Sequence, residues 1–187
     1  MVRRDWAPIA SNTARSCLNE IMTEQPLDDK IYKVCKILTD VGNQLREGAV
    51  PLKELLITKQ LAKNPEEYKE AQGLYHVTVA LRMNKSGKLP KKYRNGDTVS
   101  YLFCTDGLPH HLIEMNNNFA TVKKEEKEKN EEGGVKEEQK ESEKQELLKP
   151  DAVYYLAHQV HTVVSRICDP IPGLDPARMA KSLGKQK

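Results

Sequence analysis

The sequence predicts a mainly α, α+β fold with a small β element and a charged insertion that stays disordered. Three observations carry this. Residues 27–48 and 153–168 repeat apolar side chains at three- and four-residue steps, the signature of helices with one buried face. Residues 98–104 are rich in β-branched and aromatic side chains, as short strands are. Residues 123–149 set eight Lys against ten Glu, with Val135, Leu147 and Leu148 as the only strongly apolar residues. That is too little burial to offset the entropy of ordering the stretch.

The first element is a helix over residues 11–22, with Ala14, Leu18, Ile21 and Met22 facing inward. The second spans 27–48 and buries Leu27, Ile31, Val34, Cys35, Leu38, Val41 and Leu45, with Asp28 or Asp29 as cap and Gly48 with Pro51 as its stop. Residues 51–58 and 76–84 fit either helix or strand by pattern. Ser86-Gly87 and Asn95-Gly96 are turns, and the strand over 98–104 follows. The helix over 153–168 buries Val153, Leu156, Ala157, Val160, Val164, Ile167 and Cys168, with Pro170 as its stop. Tyr155 fits the core or the surface equally, and Tyr154 fits the surface better. A short helix over 176–183 opens on Pro176.

Composition narrows the function. No apolar run approaches the roughly 20 residues of a bilayer span, and Met1-Val2-Arg3-Arg4-Asp5 does not begin a secretory signal. The expectation is a soluble intracellular protein without a membrane partner. Cys17, Cys35, Cys104 and Cys168 are far apart and form no CxxC pair, so reduced thiols on buried faces are expected rather than a zinc site. The net charge is +3. Arg82, Lys85, Lys88, Lys91, Lys92 and Arg94 fall in one stretch without an acidic residue, which suits a polyanion partner or a plain solvated loop.

Enzymatic motifs are missing. There is no GxxxxGK[ST] phosphate loop and no GxSxG elbow. Metal-assisted nucleotidyl transfer needs two ions about 4 Å apart on paired carboxylates. Gly96-Asp97-Thr98-Val99 offers one carboxylate on a strand, which cannot bridge two metals, so Asp97 is expected to cap the turn or orient a neighbour. The His110-His111 and His158/His161 pairs could suggest metal ligands, but no carboxylate or Cys completes a recognisable site around His158 and His161, which are better read as a solvent- or phosphate-facing pair. On the 153–168 helix, Tyr154, His158, His161 and Ser165 share the face opposite the apolar stripe and can donate to phosphate oxygens without reading sequence.

Several blocks, in order, resemble family B DNA polymerases, most closely their alpha-type branch. They are Val2-Arg3-Arg4-Asp5-Trp6; Val50-Pro51 through Ile57-Thr58-Lys59; Lys63-Asn64-Pro65-Glu66-Glu67-Tyr68; and His76-Val77-Thr78-Val79-Ala80-Leu81. Further on come Asn95-Gly96-Asp97-Thr98-Val99-Ser100-Tyr101, Asp151-Ala152-Val153-Tyr154-Tyr155 through His161, and Arg166-Ile167-Cys168-Asp169-Pro170-Ile171.

The resemblance implies a helical, thumb-like subdomain. It has a palm–thumb junction at 1–26, a first thumb part at 27–106, the insertion at 107–150 and closing helices at 151–187. It favours an extended segment ending in Thr58-Lys59 and a helix across residues 77–83. It also implies that Lys59, Gly96, Asp97, Tyr101 and Tyr154 lie along a primer–template duplex, RNA–DNA or DNA. Lys91, Lys92 and Arg94 from the basic stretch, and His158 beside Tyr154, complete the expected duplex-binding set.

The implied partners are the palm and fingers of the polymerase and subunits of a primase complex; the implied location is the nucleus. No cofactor is expected in this chain, Mg²⁺ belonging to the full polymerase, and the chain alone is expected to be inactive. The insertion, and Ser182 in place of an aromatic, depart from the family pattern, and no palm, fingers or zinc module is recognised. The alternative is a non-enzymatic module that binds another protein through its insertion and helices.

Overall fold

The computed structural model describes residues 6–69, 73–115 and 148–184. Residues 1–5, with the Val2–Asp5 part of the junction block, 70–72, 116–147 of the insertion and 185–187 lie outside the described residues.

Helix α1 (Pro8–Ile21) starts on a proline whose fixed φ suits the first helical turn. It buries Ile9, Ala10, Thr13, Ala14 and Cys17. The phase differs from the expected one: Leu18 is 43% and Met22 75% exposed. The small inward residues let α1 approach its neighbours closely, which leaves the larger side chains outside. Helix α2 (Leu27–Arg46) follows the expected stripe through Ile31, Val34, Leu38 and Leu45. Leu27 is exposed, and Asp28 and Asp29 make no side-chain cap but lie in the first turn, where carboxylates oppose the helix dipole.

Both readings of residues 51–58 are realised in turn. Helix α3 (Leu52–Leu55) makes one turn, Leu56 is extended, and β1 (Ile57–Gln60) begins. Strand β2 (Thr98–Phe103) pairs antiparallel with β1, placing Ile57 opposite Tyr101 and Lys59 opposite Val99. On its other side β2 pairs with β3 (Pro109–His111), giving the order β1-β2-β3. The sequence reading assigned residues 107–150 to the insertion and foresaw no β3. Here β3 is a sheet strand, and Pro150 bridges to Cys104. Helix α4 (Tyr75–Ser86) ends on Gly87 at φ 65°, a left-handed closure that glycine adopts without a Cβ penalty.

The closing helix runs in three pieces: α5 (Ala152–Tyr154), a π-helical stretch (Tyr155–Val160) and α6 (His161–Cys168). Asp151 caps it, its Oδ1 accepting from the Tyr154 N–H at 3.0 Å. The wider π turns rotate the buried face onto Tyr155, Leu156, Gln159 and Val160. Val153, expected in the stripe, is consequently 71% exposed. Helix α7 (Pro176–Ser182) is capped by Asp175. Arg46 of α2 donates to the Leu183 carbonyl at 2.8 Å, and Gly42 gives α7's end room, since a Cβ there would meet that carbonyl at 2.9 Å.

The four cysteines are free thiols, with Cys17, Cys104 and Cys168 buried. Burial pushes Cys17 and Cys104 up to about 12 and Cys168 to about 11, so these thiols stay protonated near neutrality and pack as small hydrophobes.

Tyr155 is fully buried; its hydroxyl donates to the Leu55 carbonyl at 2.7 Å and accepts from the Phe103 N–H at 3.2 Å. One side chain thus joins α3, β2 and the closing helix. Tyr155→Phe is expected to lower unfolding stability by about 1–3 kcal/mol, because it leaves a buried carbonyl and N–H without that partner. Urea titration checks this; the midpoint should fall with an unchanged slope.

Candidate nucleic-acid interface

The register of β1 and β2 puts Ile57, Lys59, Val99 and Tyr101 on one face of the sheet. Lys59 and Tyr101 there line a cavity of about 210 Å³ together with Trp6, Tyr75, His76, Tyr154 and Gln159. No Asp or Glu lines it among the described residues. Gln159 is buried and ties down the start of α1, its Oε1 accepting from the Ala7 N–H at 3.0 Å.

Tyr154 lies over Phe103 with ring centres 3.9 Å apart. Tyr75 meets Phe103 edge-on at 4.9 Å, and His158 lies 5.3 Å from Tyr154. Burial raises the Tyr154 phenol above its ordinary value, opposed by a hydrogen bond with Gln159, so it remains a neutral donor. A larger groove of about 740 Å³ runs between residues 45–55 and 149–153 but gathers no aromatic side chains.

At the far end of β1 the chain meets the turn before β2. The Leu61 carbonyl accepts from the Gly96 N–H at 2.8 Å, and the Leu61 N–H donates to the Asp97 carbonyl at 2.9 Å. Gln60 Nε2 donates to the Gly96 carbonyl at 2.9 Å. Asp97 caps this turn as expected, its Oδ2 accepting from the Arg94 N–H at 2.7 Å. Gly96 supplies the φ of 85° the turn requires.

The basic loop leading into it is pinned to α4. Asn84 Oδ1 accepts from the Tyr93 N–H at 2.7 Å, and Asn84 Nδ2 donates to the Tyr93 carbonyl at 3.1 Å. Lys85, Lys88, Lys91, Lys92 and Arg94 are exposed along the loop.

Arg82 does not belong to this exposed set. Its Nε and Nη2 grip the two Glu114 oxygens at 2.8 and 2.7 Å, and Nη2 also reaches the Pro109 carbonyl at 2.6 Å. Burial alone would raise Glu114, but the Arg82 hydrogen bonds, the His111 N–H and the nearby charges outweigh it and hold the carboxyl below its ordinary range. The expected common face of Tyr154, His158, His161 and Ser165 is also split. His161 Nε2 donates to the Pro176 carbonyl at 3.0 Å and lies 3.3 Å from Ser165 Oγ, because the π turns between Tyr154 and His161 swing the latter toward α7.

The structure therefore gathers Lys59, Tyr101 and Tyr154 at the cavity, with Tyr101 only 5% exposed and His158 exposed beside Tyr154. It places Lys91, Lys92, Arg94, Gly96 and Asp97 on the loop and turn at the other end of β1. Trp6 entered the sequence reading only as part of a junction block, and Tyr75, His76 and Gln159 were not singled out. Trp6, the Tyr75-His76 pair and Gln159 come from three segments far apart in sequence, and no local pattern links them. Among the described residues no group of three or more His, Cys, Asp or Glu is arranged to hold a metal.

Residues 1–171 match the model of DNA polymerase family B. The chain is similar to the DNA polymerase alpha catalytic subunits of Xenopus laevis, at 36% identity, and Drosophila melanogaster, at 35%. Each match covers 98% of this chain but 11% of the relative, so the chain spans about a tenth of their length. Its fold is similar to the family B DNA polymerase of the hyperthermophilic archaeon Pyrobaculum calidifontis. That match has a TM-score of 0.60 and 21% identity, over 89% of this chain and 18% of that one.

The loop's outer support should be pH-sensitive. His111 Nδ1 accepts from the Ile113 N–H at 3.2 Å, leaving Nε2–H to donate to the Tyr93 hydroxyl at 2.9 Å. Burial lowers His111 below its ordinary 6.5, Glu114 opposing and Arg82 reinforcing the shift. A depressed folded-state value means the stability is present above 6.5 and lost as the pH falls through the folded value. The melting temperature should decline on acidification below about pH 6.5, and His111→Gln should flatten that first decline. Parallel melting curves for both proteins would refute it.

Proposed function

We propose, since the chain belongs to DNA polymerase family B, that it is the thumb of an alpha-type replicative polymerase and grips the primer–template duplex by its phosphate backbone. The observation that carries this reading is the continuity of β1. Lys59 lies in that strand, and at its end Leu61 holds the Gly96–Asp97 turn that Lys91, Lys92 and Arg94 approach. Cations on a hydrogen-bonded frame suit a polymer of regularly spaced charge, and a polymerase must hold any sequence, so backbone contacts serve it better than base readout. Tyr101, Tyr154 and His158 flank the same path as hydrogen-bonding and aromatic surfaces.

In this reading residues 1–26 join thumb to palm, 27–106 and 151–187 build the thumb, and 107–150 is an insertion within it. The duplex is RNA–DNA or DNA; the palm and fingers, with Mg²⁺ on their own carboxylates, perform the chemistry during replication in the nucleus, alongside primase subunits. A protein-binding role is favoured by one further observation. Leu18, Met22, Leu27 and Tyr32, around the α1–α2 corner, are 43%, 75%, 44% and 68% exposed, an apolar surface suited to packing against another polypeptide.

Binding should depend steeply on salt and hardly on sequence. With about five phosphates neutralised, log K should fall against log salt with a slope of about −4 to −5 on B-form DNA. Replacing Lys91 and Lys92 together by Ala should weaken all duplexes alike and flatten the slope by up to about two units. Titration of two unrelated duplexes at several salt concentrations decides it. Salt-independent binding, or none at low salt by the folded chain, would favour the protein-binding role.

A further inference from the structure

The chain has few aromatics, one Trp, seven Tyr and two Phe. More than half of them gather in one place: Trp6, Tyr75, Tyr101 and Tyr154 line the cavity, and Phe103 and Tyr155 back it. Duplex gripping does not use such a concentration, since phosphates are held by cations and N–H donors. Among the described residues Lys59 is the one Lys or Arg that lines it. At about 210 Å³ the cavity is smaller than the roughly 300–1,000 Å³ of sites that enclose whole small molecules. It has the size and chemistry for one planar ring with a phosphate alongside.

We infer that this cavity holds a single unpaired nucleobase from a strand that leaves the duplex, stacked against the Trp6 and Tyr75 side, with Lys59 beside its phosphate. The inference rests on the duplex-gripping reading and adds a single-strand subsite to it. Tyr75 is 45% exposed yet braced edge-on by Phe103, so one ring is open to a ligand while its orientation is fixed. Gln159, the amide in the lining, is already engaged by the Ala7 N–H and by Tyr154. Stacking is therefore the main contact, and every base should be accepted, because each presents a π face.

Trp6 is the only tryptophan, so its fluorescence reports directly from the cavity. The full 187-residue chain is titrated with a blunt DNA duplex, with the same duplex carrying a short single-stranded thymine overhang, and with an abasic overhang of equal length. The thymine overhang is expected to bind roughly tenfold more tightly than the abasic one, the gain that stacking one base brings, and to change Trp6 emission. Tyr75→Leu should abolish that gain and leave blunt-duplex affinity and its salt slope as they were, with an unaltered circular dichroism spectrum.

Equal affinity for base and abasic overhangs would overturn the inference while leaving the duplex grip intact. So would a blunt duplex that changes Trp6 emission as strongly as the overhang, since the backbone would then occupy the cavity. Binding of single strands without any binding of the blunt duplex would instead overturn the grip and keep the base site. If no oligonucleotide binds a natively folded chain, both fall, and a protein segment is the better occupant.

Discussion

The fold depends on two polar side chains buried one turn apart in the π-helical stretch. Tyr155 connects to Leu55 and Phe103, and Gln159 to Ala7, contacts made across 100, 52 and 152 positions of chain. A buried hydroxyl or amide without a partner costs about 1–3 kcal/mol, so the closing helix has one favourable seating, with both groups satisfied together. An apolar face alone tolerates slippage; this pair fixes rotation and height. The wide π turn is what presents both residues to the same side, and such turns recur where a helix must position functional groups. Everything at the cavity inherits this registration: Trp6 follows from Ala7, Tyr101 and Phe103 from β2, Tyr154 from the helix itself.

What the sequence made legible follows from how local each cause was. Helix α2 was readable because a single face is buried along its whole length. Strand β2 was readable from its β-branched and aromatic run. In α1 the pattern misled, since helix packing through Ala10, Ala14 and Cys17 favours small residues over the larger Leu18 and Met22. The closing helix was found at the right place with Leu156, Val160, Val164 and Cys168 buried as expected, but a regular period of 3.6 could not foresee that Val153 turns outward while Tyr155 and Gln159 turn inward. Strand β3 had no signal: Pro109-His110-His111 is not a strand sequence, and it is held by pairing to β2 and by the Arg82 fork on Glu114 and the Pro109 carbonyl. The cavity was invisible for a related reason. Its aromatics come from distant segments that no local pattern links.

The charged residues divide by what their partners leave available. Arg82 entered the sequence reading as one of a run of cations, yet its guanidinium fork is spent on a carboxylate and a carbonyl. The lysines that follow it lie on a loop with fixed ends, Asn84 holding Tyr93 at one and Asp97 with Leu61 holding the turn at the other. Flexible side chains on a constrained backbone reach phosphates of any local geometry at little cost in backbone entropy. Thus the same stretch contains a structural cation that braces β3 and an exposed set suited to a polyanion, and only the structure separates them.

If both proposals hold, the two surfaces linked by β1 take different parts of a nucleic acid, and their proximity matters. The loop and turn offer charge without shape, suited to a duplex whose bases are covered. The cavity offers flat rings and one lysine, suited to a base that is uncovered. A strand that passes from paired to unpaired would meet both in succession, so each contact would also report where the duplex ends. Neither surface needs to read sequence, and neither contains the carboxylate pair that nucleotidyl transfer demands. In the proposed reading these elements hold and register a strand, and the palm and fingers supply the bond-making groups.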